Sequence, residues 1–414
     1  MFKDNYKDEQ HGGKLIGRGA YGCVFRPNIS CEDGDITDSD NKYISKIVTY
    51  DDVDGEYNKF KKYNLQKIDP SQKYIIYPIE MCDIPGDISD ESIYDCNMVT
   101  EMVDDFSKRK TASKDEVKTV LKDSFANIIQ VYGGISFDKF RQEKNSNRLK
   151  RYDWKDYVLS YLNILKGLLL LNVNKLAHRD IKQPNIVINP DNINESKLVD
   201  LGLMAKFVDS IDEEDNNWSE WTDTDYIYFP ADIDAYCSAG NGSYSDLKKR
   251  IDSQGNNKRK MVEIMNIADS FCNRYIQPSY PWFISKEHTQ SMFESYVRFL
   301  KDLFILKLFE SDTQIGSEIQ YKWDVFMIGA FLGEEYNRSR PGDDGGDLDE
   351  LREEYIELVK NMTNLHPMER INMTDCIKKY MGFLRKYKND LNLESSVLDK
   401  EQADIDHILL NKTS

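Results

Sequence analysis

The sequence predicts an α+β protein, with strand-forming segments gathered at the front and helices dominating the rest. Two observations predict the division. The first fifty residues hold short extended segments, Cys23-Val24-Phe25 and Lys42-Tyr43-Ile44-Ser45-Lys46-Ile47-Val48, separated by glycines and by an acidic loop from Glu32 to Asp40. From Tyr152 to Leu176, in contrast, Val158, Leu162, Leu165 and Leu169 recur at helical spacing among further leucines. Ser291 to Glu310 reads as a strongly apolar helix packed in the larger part of the protein. Leu351 to Lys360 and Met373 to Tyr387 read as amphipathic helices, and Ser243 to Lys260 as a polar, basic loop.

Composition narrows the function. A chain of 414 residues allows two or three domains, and 40% hydrophobic residues are enough to fill their cores. The formal charge of −17 argues against a nucleic-acid binder, whose affinity rests on lysine and arginine meeting phosphates. The seven cysteines are odd in number and scattered without a CxxC pair, which suggests neither a disulfide framework nor a zinc site. A reducing compartment is therefore expected. MFKDNYKDEQHGG has no apolar core, and the longest aliphatic run, Leu168 to Leu171, is far too short for a bilayer. The expectation is a soluble intracellular protein, without a membrane partner.

Three stretches carry chemistry. In Ile16-Gly17-Arg18-Gly19-Ala20-Tyr21-Gly22-Cys23-Val24 the glycines follow G-x-G-x-x-G, which lets backbone approach phosphate oxygens without Cβ interference. The segment after the last glycine looks extended rather than helical, and Pro27 follows, which disfavours a dinucleotide loop. Alternation in the next strand puts Lys46 on the face of Ile44 and Val48, where an ammonium needs an anionic partner. Glu56, opening a helix over Glu56 to Tyr63, is the candidate; its other reading is a carboxylate complementing the helix dipole. The third stretch is His178-Arg179-Asp180-Ile181-Lys182-Gln183-Pro184-Asn185, ahead of a short buried strand, Ile186-Val187-Ile188. Asp180, Lys182 and Asn185 are the groups needed to accept a hydroxyl proton, neutralise a moving phosphoryl group and hold a metal. His178 reads as a packed structural residue.

Glycine loop, strand lysine, helix glutamate and H-R-D-x-K-x-x-N, in that order, resemble the eukaryotic-type protein kinases. The resemblance continues through Ser196-Lys197-Leu198-Val199-Asp200-Leu201-Gly202, where Leu201 replaces the phenylalanine of D-F-G and keeps an apolar plug. It also includes Trp323-Asp324-Val325-Phe326-Met327-Ile328-Gly329, similar to the buried helix whose aspartate braces the catalytic loop. His366-Pro367-Met368-Glu369-Arg370-Ile371 is similar to the element whose arginine pairs with the end of the activation segment. GGKLIGRGAYGCVF, IIYPIEMC, IIQVYGGISF and the Asn/Asp/Ile/Tyr-rich wording further resemble protein kinases of large nucleocytoplasmic DNA viruses (mimivirus-like).

The resemblance implies a two-lobe kinase fold over residues 14–385: a small antiparallel β-rich N-lobe with one main helix, and a larger, mostly helical C-lobe. The N-lobe would cover 14–130 with an insertion at 82–125, whose Lys108-Arg109-Lys110 reads as a solvated face. The C-lobe would cover 135–385 with an insertion at 235–320. Residues 1–13 and 390–414 are expected as polar tails. The implied activity is transfer of the γ-phosphoryl of Mg-ATP to a Ser/Thr hydroxyl of a protein substrate, in host cytoplasm or a virion if the protein is viral. Asp180 would take the proton, Lys182 would balance charge, and Asn185 and Asp200 would hold Mg2+. Lys46 would steady the α- and β-phosphates. Two stretches compete to line the adenine pocket, Met98 to Val103 and Asn127 to Gly134. The interval to Asp180 favours the second, so backbone groups from Gln130 to Tyr132 would meet the adenine edge with Ile129 behind. Residues 203–232 would form a long acidic activation segment (Asp209, Asp212, Glu213, Glu214, Asp215), with Asp232 paired to Arg370. Phosphorylation of Thr222 or Thr224 could meet Arg179, or the built-in acids could order the segment; the sequence leaves both open. A catalytically silent kinase-like scaffold and a small-molecule kinase are the alternative readings.

Overall fold

The short glycine-bounded segments at the front form strands. In a computed structural model, β1 (Lys14–Gly19), β2 (Gly22–Arg26), β3 (Tyr43–Thr49), β4 (Pro78–Asp83) and β5 (Phe125–Val131) make one antiparallel sheet of order β1-β2-β3-β5-β4. The structure describes residues 13–19, 22–32, 36, 41–53, 57–84, 95–102, 114–146, 153–207, 244–275, 286–306, 320–339 and 350–410. Two units result: Met1–Gly133 with Val199–Leu203, and Gly134–Leu198 with Met204–Ser414.

The sheet of the first unit is covered on both faces, because alternation along β3 sends side chains to two cores. Ile47 packs with Cys23, Phe25, Ile29 and Phe125, whereas Val48 packs with Val53, Ala126 and Ile128. Each aliphatic side chain removed from water this way contributes about 1.5–3 kcal/mol. Glycine is required where β2 meets β3: a Cβ on Gly22 would lie 2.6 Å from the Ile47 carbonyl oxygen and 3.0 Å from a Val48 methyl. Gly22→Ala should therefore push β2 off β3 and cost about 1–3 kcal/mol, read as a lower denaturation midpoint in equilibrium unfolding.

Among the described residues between β3 and β4 are the short helices α1 (Tyr50–Val53), α2 (Lys59–Lys62) and α3 (Leu65–Ile68), where one main helix was expected. Asn64, at φ 52°, breaks α2 from α3. Residues 98–102 of the first candidate for the adenine-lining strand lie in helix α4 (Asn97–Met102), and α5 (Lys114–Ser124) precedes β5.

The cysteines correct the sequence reading. Cys23 is bonded to Cys96 and Cys31 to Cys82, both pairs within the first unit, while Cys376 is free and buried. Pairing follows proximity across the fold, with partners 73 and 51 positions apart, so neither spacing nor the odd total could reveal it. Two disulfides do not fit the reducing compartment expected from cysteine usage.

In the second unit, the two-residue strand β6 (Ile135–Ser136) pairs with β8 (Ile186–Asn189), which pairs with β9 (Asn192–Leu198). The strand β7 (Leu176–Ala177) pairs with β10 (Ala205–Lys206). Helix α6 (Phe137–Ser146) follows β6. The leucine-rich stretch is α7 (Val158–Val173), buried on most sides and entered through a single 3-10 turn at Trp154–Tyr157. Residues 244–260, expected as loop, are instead α8 (Tyr244–Asp252) and the start of α9 (Asn257–Tyr275), anchored by buried Ile251, Ile264 and Ala268. The apolar helix is α10 (Lys286–Lys301), continued by a wider turn to Leu306.

Helices α11 (Trp323–Ser339), α12 (Glu350–Met362) and α13 (Met373–Lys386) complete the core around α7. Gly329 lets α11 approach α12, since a Cβ there would lie 2.6 Å from the Met362 Cβ. Residues 395–410, expected within a polar tail, form α14 (Ser395–Leu410) with Leu398, Ile405 and Ile408 buried. It docks on α7 through Lys166, a buried ammonium that pairs with Glu401 and lies 3.5 Å from Asp404. Among the described residues no helix is long and apolar enough to cross a membrane.

Candidate functional site

The candidate residues fall into two sets, one in each unit. In the first unit, Ile16, Gly17, Arg18 and Gly19 lie on β1, and Gly22 and Val24 on β2, with a bulge at Ile16; Ala20 and Tyr21 lie outside the described residues. Lys46 stands opposite Val24 on one side and Ile128 on the other, and its Nζ is 3.4 Å from Asp200 Oδ1. Among the described residues Asp200 is thus an anionic partner of Lys46; Glu56, the expected one, lies outside them. Asp200 adopts φ 64°, a left-handed conformation that aspartate tolerates better than most residues, and Leu201 beside it is fully buried. Lys59 of α2 donates to the Gly202 carbonyl, an anchor that the sequence reading missed.

Gln130 is buried in β5, between Ile44 of β3 and Pro78 of β4, with Ile129 fully buried beside it. The Tyr132 N–H donates to the Lys42 carbonyl at 2.7 Å, extending the ladder by one bond. The Arg26 guanidinium stacks 3.6 Å from the centre of the Tyr132 ring.

In the second unit, β7 delivers the chain to His178 and a 3-10 turn, Gln183–Asn185, leads into β8. Buried Asp324, at the start of α11, accepts the backbone N–H of His178 and of Arg179, each at 2.8 Å. Burial pushes the Asp324 carboxyl up, while His178, Arg179 and the two amide bonds pull it down. Arg179 holds φ 67°, a costly conformation for a long side chain, with its guanidinium 5.4 Å from the Trp323 ring centre. Asp324→Asn puts an NH2 against one of the two amide donors. It should cost about 2–3 kcal/mol, seen as a lower midpoint in chemical denaturation.

The braced loop brings three polar groups together. Lys182 Nζ lies 3.0 Å from Asp180 Oδ2, and Asn185 Nδ2 donates to the same oxygen at 2.6 Å and to the Asp180 carbonyl at 3.0 Å. Both partners of Asn185 are acceptors, which fixes the carboxamide with its nitrogen toward Asp180 and its Oδ1 turned the other way. His178 is fully buried, and its Nδ1 accepts the Asp180 N–H at 3.3 Å.

The Asn185 Oδ1 and the Asp200 carboxylate are hard oxygen donors of the kind magnesium takes, one in each unit. Arg370 is buried, donating to the carbonyls of Asn364 at 2.8 Å and Lys322 at 3.3 Å. Its expected partner Asp232, the acidic run and Thr222 and Thr224 lie outside the described residues.

One further group was missed. Glu335 of α11 is fully buried; its Oε1 accepts from Gln183 of the braced loop at 2.7 Å, and both its oxygens accept from Arg141 of α6 at 2.6 Å. The signal was available: Glu334 and Glu335 follow an apolar run in WDVFMIGAFLGEEY, and a carboxylate in such a helix needs a partner. The sequence matches no protein-family model and no curated protein.

Proposed function

We propose that the protein is a serine/threonine protein kinase that moves the γ-phosphoryl group of ATP to a hydroxyl on a protein. The observation that carries this reading is the Asp180–Lys182–Asn185 cluster on a loop hung from buried Asp324. The Lys46–Asp200 pair beside the glycine-containing strands supports it.

In this reading Asp180 orients the acceptor hydroxyl and receives its proton as the hydroxyl oxygen bonds to the γ-phosphorus and the bond to the β-phosphate oxygen breaks, releasing ADP. Asn185, by holding Asp180 Oδ2, directs the other carboxylate oxygen at the hydroxyl. Lys182 offsets negative charge on the moving group. Lys46 steadies the α- and β-phosphates, and its ammonium balances Asp200 until the nucleotide arrives. Asn185 and Asp200 would hold magnesium, which when bound neutralises phosphate charge. Lys182, two positions after Asp180, carries the choice of Ser/Thr over Tyr through the family resemblance.

The purified chain, incubated with Mg-ATP and a degenerate peptide library, should yield phosphoserine and phosphothreonine peptides by mass spectrometry. Stabilisation by Mg-ATP in a thermal shift without any transfer would instead make it a silent scaffold. Transfer confined to hydroxylated metabolites would make it a small-molecule kinase.

A further inference from the structure

Gln183 lies between Lys182 and Pro184, close to the proposed base yet buried rather than facing a substrate. Its carboxamide nitrogen is 2.7 Å from Glu335 Oε1, and the Arg141 guanidinium caps both Glu335 oxygens at 2.6 Å. All three elements belong to the second unit. Asp324 and Glu335 lie on one helix, α11, and reach the same loop at different points. Asp324 holds the backbone ahead of Asp180, and Glu335 holds the side chain just beyond Lys182.

We propose that Glu335, with its charge set by Arg141, is a positioning residue that fixes the far half of the loop through Gln183 and so sets where Lys182 and Asn185 stand relative to Asp180. Resting on the kinase reading, the proposal adds a second brace and a link from α6 to the reacting groups. The donors around Glu335 demand an ionised carboxylate. Three N–H contacts converge on its two oxygens, and a proton on either oxygen would oppose one of them.

Burial pushes the Glu335 carboxyl up to about 7, against the pull of Arg141. The charged and titratable groups facing it are Arg141 from α6, Glu334 and Arg338 from its own helix, Tyr161 from α7 and Tyr355 from α12. Glu334 pairs with Arg338, so the net local balance leaves Arg141 to hold the Glu335 charge. The sign follows. The brace is intact when Glu335 is ionised, so kcat falls as pH drops through neutrality.

The test compares Gln183→Ala, Glu335→Gln and the double variant with wild type. Gln183→Ala removes only the link and leaves the Arg141–Glu335 pair buried and satisfied, so it keeps the fold. Expected for both single variants is a fall in kcat on the order of tenfold to a hundredfold, with the KM for ATP unchanged. The double variant should be no worse than the poorer single one, because both cut the same link. The near-neutral limb of the kcat–pH profile should be lost in Glu335→Gln. Faster hydrogen exchange in the peptide spanning residues 180–188 should appear in both single variants. A kcat for Gln183→Ala equal to wild type, with transfer intact, overturns the positioning role and leaves the kinase reading standing. No transfer by wild type overturns the kinase reading. In that case unchanged exchange in residues 180–188 also overturns the brace, and faster exchange there retains it as a loop anchor only.

Discussion

Asp180→Asn should leave ATP affinity unchanged and lower kcat by about three orders of magnitude or more, equivalent to roughly 4 kcal/mol of lost transition-state stabilisation. The expected split follows from where the side chain sits. Asp180 Oδ2 accepts from both Lys182 and Asn185, so the carboxamide oxygen of the variant must take that position to avoid setting NH2 against two donors. The NH2 is then turned to the place where a hydroxyl proton has to be accepted. The loop keeps its shape, since Asp324 holds it through the backbone amides of His178 and Arg179. In the proposed kinase reading Lys46 and Asp200, which belong to the other unit, hold the nucleotide, so its binding should be untouched. Single-turnover phosphoryl transfer, measured beside equilibrium ATP binding, separates the two effects. Unchanged turnover refutes the role given to Asp180; lost binding together with turnover points to unfolding instead.

Much of this arrangement was legible in the sequence because it rests on local signals. The leucine spacing that placed α7, the glycine-bounded strands β1 and β2, and the polar cluster ahead of Ile186-Val187-Ile188 all act over a few residues. Long-range pairing was legible only where a charge in an apolar setting demanded a partner. For Lys46 that demand was read, and among the described residues Asp200, 154 residues away, meets it. For Glu335 the same demand was present and was passed over. Helices α8 and α14 were read as loop and tail because few apolar residues make their contacts, Ile251 in α8 and Leu398, Ile405 and Ile408 in α14. A helix held by so few apolar residues owes its place to what it docks on, as α14 does to buried Lys166.

Reducing the disulfides should have the largest effect on stability, and it should be confined to the first unit. Cys23–Cys96 and Cys31–Cys82 close loops of 73 and 51 residues, and loop-closure entropy puts each at about 4 kcal/mol. Cys23 follows Gly22 on β2, so its bond ties the strand that meets β3 to residues just ahead of α4. Cys31 ties the chain after β2 to β4, the far edge of the same sheet. Loss of one bond should lower the melting temperature of this unit by about 10–20 °C. Among the described residues of the second unit, Cys376 is a buried thiol pushed up to about 12 and takes no part in either bond, so that unit should keep its transition. Four of the seven cysteines are in these bonds, so alkylation of the unfolded, unreduced protein should modify at most three. Calorimetry with and without a dithiol reductant, and on Cys23→Ser/Cys96→Ser, reads the stability. Seven modified cysteines in protein never exposed to reductant, or identical melting with and without it, would show the bonds to be absent and return the first unit to a core held by packing alone.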